Sequence, residues 1–224
     1  VLWMWLTGVF GIATKYAEAV LAVKYRVRTA NGMMAGGPMY ALERGLGSKP
    51  LGMLFAALTA IAAFGIGNMT QANSISALAY QTFGVSPWVT GIIMTVLTAI
   101  VILGGITSIA SVCEKLVPFM AAFYILGCVI LIGMHIERVP ETLSLILNGA
   151  FSGQAAVGGF LGAGVMQAMR FGIARGLFSN ESGLGSAPIV AAAAQTKNPV
   201  RQALVSATGT FWDTVVVCAL TGLV

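Results

Sequence analysis

The chain has 224 residues, of which 58% are hydrophobic and 8% are charged, and its formal net charge is +5. Soluble domains carry about a quarter charged residues, so this composition excludes a soluble protein and indicates an integral membrane protein. One crossing takes about 20 apolar residues, so the length leaves room for roughly six transmembrane helices. Basic residues hold loops on the cytoplasmic side of a membrane, and the positive charge therefore does not indicate a nucleic-acid partner.

Neither catalysis nor metal binding is indicated. The cysteines Cys113, Cys128 and Cys218 lie in or beside apolar runs and follow no metal-binding or disulfide spacing, so we interpret them as buried apolar residues. His135 is the single histidine and stands at the end of a predicted helix, which favours a solvated position over catalysis. The sequence contains no legible nucleophile–base pair and no Cys/His cluster, so we do not expect an enzyme.

The chain begins at Val1 rather than at a methionine, and it ends at Val224 inside an apolar run. We therefore expect it to be a fragment of a longer protein. Residues 1–224 would form one transmembrane domain within that protein, and any site would be only partly present.

Residues 1–25 are predicted to form the first membrane helix. Trp3 stands near its start and Arg26 follows its end, so we expect the helix to run from outside to inside. Lys15 and Glu18 lie three residues apart on one face near mid-membrane, where an unpaired charge is costly. We expect each to pair with the other or with a neighbour, either as a structural ion pair or as part of ion coupling.

Residues 27–50 are polar and rich in glycine, which predicts a cytoplasmic connection with a short helix over Met39–Arg44. Residues 51–82 are predicted to form one long helix. Asn68 and Gln71 would share a face of that helix, together with two apolar side chains. These amides either join helices by hydrogen bonds or face a cavity, and the sequence does not separate the two.

The middle of the chain predicts two more crossings. Residues 88–111 would return inward and end before Glu114 and Lys115. Residues 116–134 would cross outward, with Pro118 tolerated in the first turn of the helix. An amphipathic outer loop would follow.

Two further helices are predicted near the end of the chain. Residues 156–178 would re-enter the membrane, and their glycines would let helices approach closely. Those glycines are Gly158, Gly159, Gly162 and Gly164. Residues 202–224 would begin the last helix, which carries Asp213.

The stretch from Gly172 to Gln195 is polar and rich in glycine although apolar helices surround it. Its unusual residues are Gly172, Arg175, Gly176, Ser179, Asn180, Glu181, Ser182, Gly183, Gly185, Ser186 and Pro188. Irregular backbone at membrane depth survives only where protein or a polar cavity satisfies it. We interpret the stretch as two half-helices that meet at about Ser179–Ser186, with a binding site at the break. The alternative is a cytoplasmic loop after a helix that ends near Gly176.

Four motifs carry a resemblance to a known family. They are LWMWLTGVFGIATKYAE (2–18), GIGNMTQANS (65–74), RGLFSNESGLGSAP (175–188) and NPVRQAL (198–204). Together they resemble the alanine or glycine:cation symporter family of sodium-coupled amino-acid carriers, although Leu2 stands where phenylalanine is usual. The resemblance implies an all-α membrane protein with the five-plus-five inverted repeat of the leucine-transporter type. This chain would then hold the second to seventh helices, with 172–195 as the broken sixth.

The break and the resemblance together predict a substrate site. Its expected residues are Asn68, Gln71, Phe178, Ser179, Asn180, Gly183, Gly185 and Ser186. Free amides and the N-terminus of a half-helix would hold the substrate carboxylate, while side-chain oxygens would serve its ammonium group or a sodium ion. Ser182 is a candidate sodium contact, and no other metal ligand is assigned.

The expected function is sodium-coupled symport of a small neutral amino acid, alanine or glycine, by alternating access in the cell membrane. Sodium would be a co-transported ion, and no cofactor is expected. One rival is a proton-coupled carrier in which Glu181 or Asp213 titrates. The other rival is a non-transporting scaffold or channel whose polar residues only pack helices.

Overall fold

The computed structural model describes residues 1–151 and 161–224. The helices of the first half are α1 (Leu2–Lys24), α2 (Pro38–Gly45), α3 (Lys49–Ala62), α4 (Met69–Phe83) and α5 (Pro87–Leu103). The later helices are α6 (Gly105–Met134), α7 (Val139–Phe151), α8 (Leu161–Asn180), α9 (Ala187–Ala191), α10 (Pro199–Thr210) and α11 (Cys218–Leu223). A 3₁₀ turn at Ile136–Arg138 precedes α7, and a π-helical segment at Phe211–Val217 joins α10 to α11.

Helices dominate the described residues, so the expectation of an all-α membrane protein is confirmed. Three helical stretches are long and apolar enough to cross a membrane: Leu2–Lys24, Thr107–Met134 and Pro199–Leu223. The helices α3 and α5 are apolar but shorter. Large apolar side chains such as Trp88 and Leu103 are more than four-fifths exposed, which suits a lipid environment and not water. The chain is a multi-pass membrane protein.

A small hairpin follows α1, and the sequence did not predict it. Strand β1 (Val27–Arg28) pairs antiparallel with β2 (Met34–Ala35), in the register Val27↔Ala35 and Arg28↔Met34. Gly32 has φ +77°, a left-handed angle that suits glycine in a tight turn. Two-residue strands are too short to show alternation between apolar and polar positions. The predicted short helix that follows is confirmed as α2.

The prediction of one helix over residues 51–82 is wrong. Helix α3 ends at Ala62 and α4 begins at Met69, and turns lie between them. Gly67 has φ +84°, and the Asn68 side chain caps α4 by accepting a hydrogen bond from the Met69 amide at 2.6 Å. The helical face that we predicted for Asn68 and Gln71 therefore does not exist, because glycine and an N-cap interrupt the helix.

The predicted loop around Glu114 and Lys115 is also wrong. Both residues lie inside α6, and the turn between α5 and α6 falls instead at Gly104–Gly105. Gly105 has φ +72°, which a glycine adopts at little cost, so the glycine pair ends the helix and the charged pair does not. Pro118 lies in the interior of α6 and not in its first turn.

The region predicted as residues 156–178 is α8, described from Leu161 onward. Gly158 and Gly159 lie outside the described residues. The predicted last helix is present and begins earlier than expected, at Pro199, where the Asn198 side chain accepts hydrogen bonds from the amides of Val200 and Arg201.

The chain folds into two compact units, Val1–Phe55 with Ile125–Val224, and Ala56–Tyr124. In the first unit α1 packs against α8, α9, α10 and the π-helical segment. The buried core there consists of small side chains, namely Ala19, Ala22, Ala191, Ala192 and Ala203. Small residues let helix backbones approach closely, which is how membrane helices gain packing energy. In the second unit α4 packs against α5.

An arginine after the end of α1 joins this helix to the chain that follows α9. The Arg26 guanidinium donates to the carbonyls of Ala192 at 2.9 Å and Thr196 at 2.7 Å, and also to that of Ala194. Those carbonyls lie where the helix has ended and have lost their helical partners. Arg26 therefore replaces the hydrogen bonds that a continuing helix would have supplied.

We expect Arg26→Gln to lower the free energy of unfolding by about 2 kcal/mol or more, because charge-assisted hydrogen bonds to three carbonyls are lost. Thermal unfolding of the purified protein in detergent measures the effect. Arg28→Gln is the matched control, since Arg28 is exposed and donates to the Gly32 carbonyl at 3.3 Å, within its own hairpin. Equal stabilities of the two variants would contradict the role assigned to Arg26.

Candidate functional site

The helix break lies where the sequence predicts it. Helix α8 ends at Asn180 and α9 begins at Ala187. Between them Gly183 and Gly185 have φ of 85° and 79°, and Glu181 has φ 56°. Left-handed angles are ordinary for glycine but uncommon for glutamate, so the surroundings must hold Glu181 in place. The helix thus ends at Asn180 and not near Gly176, where the alternative interpretation placed its end.

The second half-helix is shorter than expected. Helix α9 has five residues, and the chain after Ala191 is a turn followed by irregular backbone. So short a helix aligns few peptide dipoles, so the expected anion site at its N-terminus loses its physical basis. What the break offers is open backbone. Among the described residues, neither the Gly183 amide nor the Gly185 amide donates a hydrogen bond.

A lysine of α1 holds the first edge of the break. The Lys15 ammonium donates to the Asn180 carbonyl at 2.7 Å. The sequence predicts that Lys15 pairs with Glu18 or with another neighbour, and this carbonyl is its hydrogen-bond partner. The Asn180 side-chain oxygen in turn accepts from the Ser182 amide at 2.9 Å. Both bonds satisfy polar groups that the end of α8 would otherwise leave without partners.

Side-chain hydrogen bonds also fix both ends of the break. The Ser179 hydroxyl donates to the Asp213 carboxylate at 2.6 Å, and the Thr214 hydroxyl donates to the same oxygen at 3.0 Å. Asp213 lies in the π-helical segment, a distortion that is frequent at functional sites. The Ser186 hydroxyl donates to the Glu181 carboxylate at 2.8 Å. Ser179 and Ser186 therefore hold the shape of the break.

Three deeply buried side chains beside the break carry polar atoms without a partner among the described residues. They are Asn180 Nδ2, Ser182 Oγ and Thr210 Oγ1, on residues that are 3%, 4% and 1% exposed. A β-carbon added at Gly11 of α1 would lie 3.0 Å from the Ser182 hydroxyl, so α1 passes directly over this cluster. Buried polar atoms normally have partners, so the cluster indicates a place for polar groups or an ion.

A cavity of about 500 Å³ lies between α1, α2 and the break. Its lining residues include Glu18, Leu21, Ala22, Pro38, Leu42, Phe55, Gly183, Gly185 and Pro188. This volume falls within the usual range for small-molecule sites, about 300–1,000 Å³. Most of the lining side chains are apolar, and the polar ones are Glu18 and Tyr25. A small molecule in this cavity would touch the open part of the break.

The structure brings together most of the predicted site residues. Phe178, Ser179 and Asn180 stand in the last turn of α8, where Phe178 is 44% exposed. Gly183, Gly185 and Ser186 lie in the break that follows. Asn68 and Gln71 belong to the second compact unit. There the Asn68 amide donates to the Ala63 carbonyl at 3.2 Å, and Gln71 is exposed in the first turn of α4.

Sequence reasoning did not place Glu18, Phe55 or Thr210 at the site. Glu18 had a usable signal, since it is a charge in the middle of an apolar helix. Phe55 and Thr210 had none, because an apolar or hydroxyl side chain in a helix is ordinary. Within the described part of the chain no cluster of three or more His, Cys, Asp or Glu residues could hold a metal ion.

The family profile and the named relatives that match this chain all point to one family of transporters. The profile of the sodium:alanine symporter family matches residues 1–224. An uncharacterized transporter of Haemophilus influenzae is 54% identical over 225 residues, which cover 100% of this chain and 49% of the relative. The sodium/alanine symporter AgcS of Methanococcus maripaludis is 54% identical over 228 residues, with the same two coverages. A probable sodium/glutamine symporter, GlnT of Bacillus subtilis, is 38% identical over 224 residues, covering 100% of the chain and 46% of the relative.

The chain spans about half the length of the curated relatives that it matches. The match runs over every residue of the chain, including the helix break and the α1 residues that contact it. A family of transporters, and not of enzymes, is also what the composition and the interrupted membrane helix favour. The chain belongs to the sodium:alanine symporter family.

Proposed function

We propose that the chain is part of a secondary transporter that couples sodium entry to uptake of a small neutral amino acid, alanine or glycine, by alternating access. The break from Phe178 to Ser186 would be half of the substrate site. The single observation that carries the proposal is that the Gly183 and Gly185 amides donate no hydrogen bond to any described residue and lie beside a largely apolar cavity. The parent fold would be the leucine-transporter type, with residues 172–195 as the broken sixth helix.

The chemistry of the break suits an amino acid. Open amides in a low-dielectric site bind a carboxylate more strongly than water-exposed amides do. Phe178 and the apolar cavity walls suit a short aliphatic side chain, which favours alanine or glycine over larger substrates. Hydroxyl oxygens are hard ligands that sodium accepts, so the buried Ser182 hydroxyl remains the candidate sodium contact.

We further propose that the protein resides in the cell membrane with the ends of α1 and α2 on the cytoplasmic side, because basic residues concentrate there. Those basic residues are Lys24, Arg26, Arg28, Arg44 and Lys49. The 3₁₀ turn at Ile136–Arg138 would face outward.

We expect Gly183→Val in the full-length chain to abolish alanine binding, because φ +85° disfavours a β-branched residue and the side chain would fill space beside the ligand. Equilibrium binding of labelled alanine to the purified protein measures this. Gly47→Val is the control, since Gly47 has φ +70° with no atom within 4 Å of an added β-carbon. It should lose about 1–2 kcal/mol of stability and keep binding. Wild-type binding by Gly183→Val would contradict the substrate site.

A second variant tests the side-chain pocket. Phe178→Ala should weaken alanine affinity by about 1–3 kcal/mol and admit larger amino acids, because one wall of contacts is lost. Competition by alanine, leucine and glutamine against labelled alanine measures the change. Unchanged selectivity would remove Phe178 from the pocket.

Ion replacement separates sodium coupling from the proton-coupled rival. With sodium replaced by choline at constant pH, uptake into proteoliposomes should vanish if sodium drives transport. Uptake that persists in choline and follows an imposed pH gradient would favour titration of Glu181 or Asp213 instead. Absence of saturable uptake under both conditions would favour the scaffold or channel rival.

A further inference from the structure

The connection between α1 and α3 packs directly on the backbone of the break. We call residues 36–55 the strap; they include α2 and the first part of α3. A β-carbon built on Gly185 would lie 2.6 Å from Cζ of Phe55 and 3.1 Å from Cγ of Pro38. No side chain has room at that separation, so the glycine backbone itself touches the strap.

A second close approach joins the strap to the short helix after the break. A β-carbon built on Gly37 would lie 2.8 Å from Cγ1 of Ile189 in α9. A β-carbon built on Gly36 would lie 2.5 Å from Cβ of Ala192, directly after α9. The strap therefore covers one side of the break and of the half-helix that follows it.

The strap also forms one wall of the cavity of about 500 Å³ described above. The α1 segment from Glu18 to Tyr25 lines another part of the cavity, and so do Gly183 and Gly185 of the break. Seven residues of helix rise about 10 Å, so the cavity connects the break with the end of α1. A ligand that leaves the break on this side passes along the strap.

The contacts that hold this region together differ in strength. The Arg26 guanidinium donates charge-assisted hydrogen bonds to three carbonyls at and after the end of α9. Within the described residues no hydrogen bond joins the strap to the break, and Phe55 meets Gly185 through a ring carbon. Separating the strap from the break therefore costs less than separating α9 from α1. Phe55 is only partly buried, so its ring has space to turn away.

We infer that the strap is the inner gate of the transporter and that Phe55 is the residue that closes it. While the Phe55 ring rests on Gly185, the break is closed towards the cytoplasm. Movement of the ring away from Gly185 opens the cavity as an exit, and Arg26 keeps the chain after α9 attached to α1 meanwhile. This inference rests on the proposed function, because it takes the break to be the substrate site and the end of α1 to be cytoplasmic.

The test measures access to the break from each side of the membrane. Leu184 lies in the break, lines the cavity and is 47% exposed, so Leu184→Cys provides a reporter thiol. The full-length protein carries this reporter with its other cysteines replaced by alanine, in inside-out and right-side-out vesicles. A membrane-impermeant maleimide is added, and the labelling rate is followed by mass spectrometry.

Phe55→Ala should raise the labelling rate from the cytoplasmic face about tenfold or more, because loss of the ring contact raises the population of the open gate. Labelling from the outer face should not rise. Leu46→Ala is the matched control, because Leu46 also lines the cavity and is 72% exposed. Its truncation enlarges the cavity but keeps the Phe55 ring, so it should change the rate by less than about twofold.

A milder variant covers the case in which Phe55→Ala does not fold. Phe55→Leu keeps an apolar side chain and loses the ring, so it should show a smaller rise in the same direction. An unchanged rate in the folded Phe55 variant, or an equal rise in Leu46→Ala, overturns the gate. A rise from the outer face in place of the cytoplasmic face also overturns it.

Labelling needs no substrate, so the outcomes separate this inference from the proposed function. Saturating alanine with sodium should slow labelling of the parent protein if the break holds the substrate. If alanine has no effect and Phe55→Ala still raises the rate, the gate stands and the proposed substrate site fails. If alanine protects the thiol and Phe55→Ala changes nothing, the substrate site stands and the gate fails.

Discussion

The requirement that backbone polar groups inside a membrane must find partners governs this structure. Water is absent from the hydrocarbon core, so an interrupted helix leaves amides and carbonyls that other groups must satisfy. The interruption after Asn180 is stabilised by side chains from other elements. Lys15 and Arg26 of the α1 region donate to carbonyls on its two sides, at Asn180 and from Ala192 to Thr196. Among the described residues, the Gly183 and Gly185 amides within the break donate no hydrogen bond.

Close packing of α1 makes these hydrogen bonds reachable, and it also gathers charge around the break. The alanines of α1, α10 and the end of α9 form the buried core, and such small side chains let helices approach closely. Lys15 and Glu18 of α1 lie close enough to Glu181 of the break and Asp213 of the π-helical segment for their charges to interact, because α1 packs against these parts of the chain. Charged groups are costly in a membrane, so each of them needs an opposite charge or a hydrogen-bond partner nearby.

The sequence alone determined the class of the protein, because apolar composition leaves a membrane as the only suitable solvent. It also located the break at Ser179–Ser186, since glycines, a proline and polar residues are incompatible with a continuous membrane helix. The predicted helix ends were wrong where glycines gave one signal and charge or hydropathy gave another. Hydropathy alone predicts one helix across residues 51–82, but the glycine-rich turn before Asn68 interrupts it. Charge alone predicts that a helix ends just before Glu114, but the pair Gly104–Gly105 ends that helix earlier.

Tertiary structure decided which groups meet. Nothing in the local sequence connects Lys15 with Asn180, Arg26 with the chain after α9, or Ser179 with Asp213, because these pairs are separated by between 34 and 170 residues. The cavity beside Glu18 likewise exists only once α1, α2 and the break are packed together. Local sequence patterns indicate whether a segment suits lipid or water. The pairing of distant polar groups depends instead on how the helices pack in three dimensions.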